Sequence, residues 1–538
     1  VPRRSYLITA VLLGGLASLG IELTMSRLLQ PFFGSSQLIW ANVIGLTLIY
    51  LTIGYQVGGR LADRYPQPRL LGRLLLLAGL ATAPIPLLAR PLLQWSVGAF
   101  TSYSAAIFFG SFFGVLLLLS TPMILLGMIA PFAIRLSVRD LRTAGSTAGT
   151  LYAVSTLGSI AGTFLPVLVL VPLLGTSLTF YVFALALVTV GALGAQRRAA
   201  LVAIPAVIAL AVLQLGVHGI RAPFCRGCES LFETESSYNY IQVARANNGP
   251  GRTPQIKLIL NEGQAIHSVY NTRYGMTHDP VDLITNGPWD FFHVAPYLYP
   301  DRRKADVDSL LLIGAAAGTI PKQFLALYGP ESRIDAVEID PAIIEVGRRF
   351  FAMEDESLPN YTVAVADGRV FLNRLTATYD IIGMDAYHQP YVPFHLATRE
   401  FFAEVDARLA PDGVAVVNAG RVGDDYRLAH ALASTMRAVF PQVFLLDVPT
   451  RGNVLVIGVK RPVGDGVANF RANRARMDDR VLRFWMTQAL DADAGKLPLR
   501  EWAAADAAGY RPFTDDWAPV ESVIDRMILR AAEAGPDE

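Results

Sequence analysis

Five acid and glycine positions in the second half of the chain have the types and spacing for nucleotide chemistry. Gly314 and Gly318 lie in "LLLIGAAAGTIPKQF" (310–324), where an apolar run gives way to small residues and then to a helical pattern. Glycine there lets a backbone turn come close to a ligand with no Cβ in the way. Glu338, in "RIDAVEID", follows about 20 residues later, the distance at which a carboxylate accepts from both hydroxyls of a ribose. Asp367, followed by Gly368, ends "YTVAVAD", where it can accept an adenine amine or simply cap the next helix. Asp385 closes the apolar run of "IIGMDAYHQP", the place for a group that faces the reacting atoms.

These positions are meaningful because each ends a strand pattern. "DSLLLIG", "RIDAVEID", "YTVAVAD" and "YDIIGMD" alternate with the helical patterns "TIPKQFLALYG", "PAIIEVGRRFF", "GRVFLNRL" and "TREFFAEVDARL". "GVAVVNAG" follows, then a helix near 426–439 and strands near 442–448 and 453–459. Such alternation predicts a mainly parallel sheet covered by helices on both faces, with ligands outside the carboxyl ends of the strands. Ahead of it, "YNYIQVAR" (238–245) and "IKLILNEGQAIHSVY" (256–270) predict a small antiparallel unit. Together, the ordered acids and glycines point to an adenosyl-type cofactor.

The first 220 residues are of another kind. Seven stretches, near 6–29, 37–59, 70–90, 104–134, 150–174, 177–194 and 199–217, are apolar enough for membrane helices of about 20 residues. The fourth contains Pro122 and is expected to kink or tilt. The first is long enough to span and has no clear small-residue cleavage site, so it reads as a span and not as a leader. Glu22, with Arg27 five residues on, is an ionisable group inside a span, which points to function, pairing or a water-filled cavity. Near the interface it is also an ordinary residue. "GGRLADRYPQPRL" (58–70) resembles a loop of major-facilitator transporters.

Arginines outside the spans or near their ends are unevenly divided. Arg3, Arg4, Arg60, Arg64, Arg69, Arg73, Arg135, Arg139, Arg142, Arg197 and Arg198 fall on one side, against Arg27, Arg90, Arg221 and Arg226 on the other. The positive-inside rule makes the first side cytoplasmic, so seven spans leave the later domain outside. Six would leave it inside, where sulfonium donors are made. A net charge of +1 excludes a protein that binds nucleic acid through a broad basic surface. The two cysteines, Cys225 and Cys228, are half a zinc site at best, so no metal is expected. In an oxidising compartment they are free to pair as a disulfide.

In combination, these segments resemble the aminopropyltransferases, in particular the membrane-fused spermidine synthase-like proteins of prokaryotes. "GIELTMSRLLQPFFGSS", "TPMILLGMIAPFAIRL" and "GTLYAVSTLGSIAGTFLPVLVL" resemble that group's membrane half. "AVEID", "ADGRVFL", "DAYHQPYVPFHLATREFF" and "TDDWAPVE" resemble its soluble half. The resemblance implies transfer of an aminopropyl group from decarboxylated S-adenosylmethionine to an amine, with release of methylthioadenosine. It implies Glu338 as the ribose acid, Asp367 with Gly368 at the adenine, and Asp385 as the aspartate that takes or orients the amine's proton. It places Gln264 near the cofactor and Tyr238 and Asn239 near the substrate.

The departures bear on specificity. Soluble members carry "GGGDG", whose aspartate holds the donor's ammonium; the corresponding residue here is Ala317. His388 stands where a second aspartate follows the catalytic one; it assists Asp385 or is a plain loop histidine. Asp515 and Asp516 either restore acidity at the substrate or cap a helix beginning near Pro519. The donor class therefore survives better than putrescine specificity, and ordinary S-adenosylmethionine stays open as donor. Two further readings remain: a methyltransferase acting on a lipid, peptide or small molecule, and a polyamine or nucleoside transporter or sensor.

The expected architecture is a multi-pass α-helical membrane domain (1–220) and a linker with a small β unit (221–300). An α/β Rossmann-like domain of the class I methyltransferase type (301–460) and a C-terminal helical segment (461–538) follow. The expected partners are the lipid bilayer of the cell membrane and a small-molecule amine, with a homodimer left open.

Overall fold

The computed structural model describes residues 4–33, 37–99, 109–195, 197–216, 228–246, 253–261, 265–353, 360–387, 392–449, 452–491, 498–503 and 509–534. The chain forms two compact units: Val1–Ala222 with Glu235–Tyr240, and Pro223–Thr234 with Ile241–Glu538.

The first unit is helical. Among the described residues, six helices are long and apolar enough to cross a membrane: Arg4–Phe33, Ile39–Arg64, Ser111–Ser137, Ala144–Leu174, Thr176–Gly194 and Arg198–Leu215. The stretch expected near 70–90 is a pair, Pro68–Thr82 and Ile85–Ser96, bent by 48°. Pro84, at the break, has no N–H to continue the helical ladder, which accounts for the bend. Pro122 sits inside Ser111–Gly127, and Met128 separates that helix from Ile129–Ser137. Counting the bent pair as one span gives seven.

Small residues let the first helix approach Ala144–Leu165. A Cβ on Gly158 would meet the Leu12 carbonyl at 2.1 Å, and one on Gly162 the Leu16 carbonyl at 2.2 Å, the spacing of small residues that brings membrane helices together. Glu22 is buried in the first helix, while Arg27 donates to the carbonyl of Ser236 at 3.0 Å. Leu48, Leu157, Leu168, Leu173, Leu193 and Leu201 are exposed on this unit.

The second unit contains two sheets. β1 (Cys228–Glu235), β2 (Tyr240–Ala246), β3 (Gln255–Leu260) and β4 (Ile266–Asn271) form the small sheet in chain order. Cys228, which opens β1, is disulfide-bonded. Cys225 lies outside the described residues.

The large sheet comprises β5 (Ser309–Ile313), β6 (Arg333–Glu338), β7 (Tyr361–Val365), β8 (Tyr379–Met384), β9 (Leu409–Gly420), β10 (Gln442–Asp447), β11 (Asn453–Val459) and β12 (Leu499–Glu501). Its order is β12-β10-β11-β9-β8-β5-β6-β7. The five strands from β5 to β9 run parallel, whereas β10, β11 and β12 pair antiparallel. Leu310, Leu312, Ile334, Ala336, Ile381, Val414 and Val416 are buried in its core. Near-continuous apolar runs of this kind are what a sheet buried on both faces requires.

The C-terminal segment, expected to be helical, also supplies the edge strand β12 beside the helices Gly466–Arg476 and Arg480–Leu490. β5, β6 and β7 build outward on one side, and the chain then returns to lay β8 on the other side of β5. That reversal opens a crevice at the carboxyl ends of β5 and β8.

Candidate active site

Gly314 follows β5 at the crevice. Its N–H donates to the Val337 carbonyl at 2.9 Å, and its φ of +87° is one that L side chains rarely adopt. A Cβ there would lie 2.6 Å from the Asp385 carbonyl, so both conformation and space call for glycine. Gly318, φ +85°, stands at the start of the helix Thr319–Tyr328. Between them Ala316 also has a positive φ, +47°, which is uncommon for a residue with a side chain.

Ala316 holds that geometry with help from Glu338. Its N–H donates to Glu338 Oε2 at 3.0 Å, and the Asp340 N–H donates to Oε1 at 3.2 Å. Glu338 is buried at the end of β6, and burial pushes its carboxyl up to about 7 against those backbone bonds. The strand-end acid thus braces the turn expected to cradle the nucleoside.

Asp385, one residue past β8, is held from both sides. The Trp289 indole N–H donates to Oδ2 at 3.0 Å, and the Asn418 amide donates to Oδ1 at 2.8 Å. Burial pushes this carboxyl up to about 7; the two donors favour its ionised form, and the charge of Glu338 opposes it. The parallel register pairs Met384 with Val417, which sets the next residues, Asp385 and Asn418, side by side. Tyr387 donates to the Asn418 carbonyl at 2.7 Å. A carboxyl that exchanges a proton near neutral pH suits general base work.

Asp367 caps the helix Gly368–Arg374, accepting from the N–H groups of Arg369 and Val370 at 3.0 Å each. Its second oxygen lies 2.9 Å from His395 Nε2. Burial opposes ionisation of Asp367, but the Val370 N–H, His395 and the Arg369 N–H outweigh it and hold the carboxyl below its ordinary value. Gly368 is tightly placed, since a Cβ would meet Ile313 Cγ2 at 2.3 Å.

Tyr238 and Asn239 belong to the first unit, where Gln30 Nε2 donates to the Tyr238 carbonyl at 3.0 Å and the Asn239 N–H to Ser236 Oγ at 2.9 Å. The other described candidates belong to the second unit. Asp515 pairs with Arg369 at 2.7 Å and accepts from Thr398 Oγ1 at 2.6 Å, and the Arg369 bond holds its carboxyl below the ordinary value. Asp516 is exposed. Gln264 and His388 lie outside the described residues.

Ala317 is buried in an apolar cluster that includes Ile343, Val346 and Phe351, with its N–H bonded to Ser268 Oγ at 3.0 Å. Sequence reasoning missed Trp289, Asn418, Ser268 and His395. Only Asn418 carried a signal, as a polar residue late in the apolar run "GVAVVNAG".

Residues 297–460 match the family described as spermine/spermidine synthase domain. A probable polyamine aminopropyl transferase of Bifidobacterium longum is 29% identical over 323 residues, 57% of this chain and 65% of that protein. A polyamine aminopropyltransferase of Vibrio vulnificus is 33% identical over 156 residues, 28% of this chain and 50% of that protein. The chain thus spans less than two thirds of the length of either curated relative. The crystal structure of a probable spermidine synthase from Corynebacterium glutamicum is similar at 19% identity and a TM-score of 0.40, covering 53% of this chain and 96% of that one. Within the second unit, residues 297–460 are therefore similar to the spermine/spermidine synthase domain and to polyamine aminopropyltransferases.

Proposed function

We propose that this chain is an integral-membrane aminopropyltransferase-like enzyme that joins an amine to a sulfonium donor such as decarboxylated S-adenosylmethionine. The observation that carries the reading is Asp385, half-buried at the switch point with one neutral donor on each carboxyl oxygen, Trp289 on one and Asn418 on the other. The acceptor's nitrogen attacks the carbon next to the donor's sulfonium sulfur. A C–N bond forms, the C–S bond breaks with its electron pair going to sulfur, and methylthioadenosine leaves. The proton lost by the nitrogen passes to Asp385. Glu338 faces the ribose and Asp367 the adenine amine, while the turn Gly314–Gly318 lets the nucleoside come close to backbone.

One observation favours a second reading. Ala317 brings no negative charge that would repel the carboxylate by which ordinary S-adenosylmethionine differs from its decarboxylated form, and its surroundings are apolar. Ordinary S-adenosylmethionine as donor, with methyl transfer to a lipid, peptide or small molecule, fits that feature.

The exposed leucines of the first unit support its placement in a bilayer. Counting the bent pair as one span, the arginine partition favours an enzyme unit outside the cytoplasm, and the disulfide-bonded Cys228 suits an oxidising compartment. Purified full-length protein, incubated with each donor and a set of diamines, separates the readings by the nucleoside released. Methylthioadenosine supports aminopropyl transfer, and S-adenosylhomocysteine would replace it with methyl transfer.

A further inference from the structure

The hydrogen bonds behind Asp385 continue past its first neighbours. Asn418 donates to Asp385 Oδ1 at 2.8 Å, and its own Oδ1 accepts from Asn453 Nδ2 at 2.9 Å. Asn453 opens β11, whose antiparallel register sets Leu455 opposite Asn418 and Asn453 opposite Gly420. Tyr387 holds the Asn418 carbonyl from a third direction. On the far side of Asp385 stands Trp289, almost fully buried.

This arrangement has a directional logic. An amide can turn either its oxygen or its NH2 toward a neighbour, and an oxygen facing a carboxylate would repel it. By donating into Asn418 Oδ1, Asn453 leaves Asn418 only its NH2 for Asp385. Trp289 is a donor and nothing else. Each carboxylate oxygen of Asp385 is therefore met by one neutral donor, with lone pairs left over for a proton from substrate.

The neutrality of those donors matters as much as their placement. A cation beside a carboxylate lowers its proton affinity strongly. Among the described residues, no cation pairs with Asp385; the titratable groups that face it are Glu338 and Tyr387. Each is an acid, so neither helps Asp385 to ionise.

We propose that Asn453, Asn418 and Trp289 form a positioning chain that fixes the orientation of Asp385 and sets its proton affinity without a charge. The proposal rests on the reading of Asp385 as the proton acceptor. The three residues act through Asp385 and are positioning residues, not groups that meet the reacting atoms.

The test needs no knowledge of the acceptor. Full-length protein in uncharged detergent, with tryptophan indoles labelled by 15N, is titrated across neutrality. The Trp289 indole resonance, identified by its loss in Trp289→Phe, is expected to move with pH in the wild type and to stand still in Asp385→Asn. In Asn418→Leu its midpoint is expected to rise by about one pH unit or more, the usual weight of a hydrogen bond to an ionised group. Asn453→Leu should raise it by less, because it acts through Asn418, and it keeps the test decisive should Asn418→Leu fold poorly. A merely structural chain would shift neither midpoint.

Unchanged midpoints in both variants, or a wild-type resonance that ignores pH, would overturn the proposal. Full turnover in Asp385→Asn with the midpoint shifts intact would instead sink the base assignment and leave the chain standing.

Discussion

Glu338 and Asp385 terminate the two strands that flank β5, and burial pushes both carboxyls up to about 7. Each favours its protonated form when folded and ionises near its ordinary value, about 4, when unfolded. Their stabilising contribution is therefore fully present below about pH 4 and is lost as pH rises through about 7. Asp385→Asn removes that liability. Thermal melts of variant and wild type without ligand should coincide at the acid end and separate above neutrality, with the variant more stable. The full shift from 3.8 to about 7 corresponds to roughly 4 kcal/mol as an upper bound, so a gain of about 1–3 kcal/mol is expected. A variant less stable than wild type at alkaline pH would mean that Asp385 is ionised at little cost in the fold.

Glu338 braces the Ala316 N–H and is assigned to the ribose. Glu338→Gln keeps the size but weakens both tasks, and methylthioadenosine binding by calorimetry should drop by about 1–3 kcal/mol. Unchanged affinity would remove the ribose assignment.

Asp367 can be tested for two roles at once. Asparagine caps helices about as well as aspartate, whereas alanine does not. Asp367→Ala should lose about 1 kcal/mol of stability, and Asp367→Asn much less. If the carboxylate also accepts the adenine amine, Asp367→Asn should still weaken nucleoside binding. Equal affinity for wild type and Asp367→Asn would leave Asp367 as a cap alone.

Those assignments began as strand-end positions in the sequence, and the structure shows which parts of a site can be read that way. Apolar runs ending in Gly314, Glu338 and Asp385 reveal parallel strands with acids at two of their ends, because burial on both faces leaves a local signature; the edge strand before Asp367 is half-exposed and is marked by its β-branched residues. The partners of those acids left almost none. Trp289, on a short helix, is 96 residues from Asp385 in sequence, and Asn453 is 35 from Asn418 on another strand, so their meeting depends on tertiary packing and strand order. β12, only three residues long, has too short a pattern to register. The turn with Tyr238 and Asn239 belongs to the first unit, where Gln30 holds it, a partner that no local pattern marks.

The side of the membrane is open to a direct check. A reporter active only in the cytoplasm, fused after Glu538, should stay dark if seven spans place the enzyme unit outside. A strong signal would show that the bent pair Pro68–Thr82 and Ile85–Ser96 does not cross as one span.

The most direct test of the central claim is the nucleoside released by purified full-length protein and by Asp385→Asn, each given decarboxylated S-adenosylmethionine and a panel of amines. Wild type should yield methylthioadenosine, with putrescine a poor guide to the best acceptor because Ala317 and His388 stand where soluble members carry two carboxylates. Asp385→Asn should bind the nucleoside about as well and turn over more slowly by about 10²-fold or more. Release of S-adenosylhomocysteine from ordinary S-adenosylmethionine, or undiminished turnover in Asp385→Asn, would contradict the account.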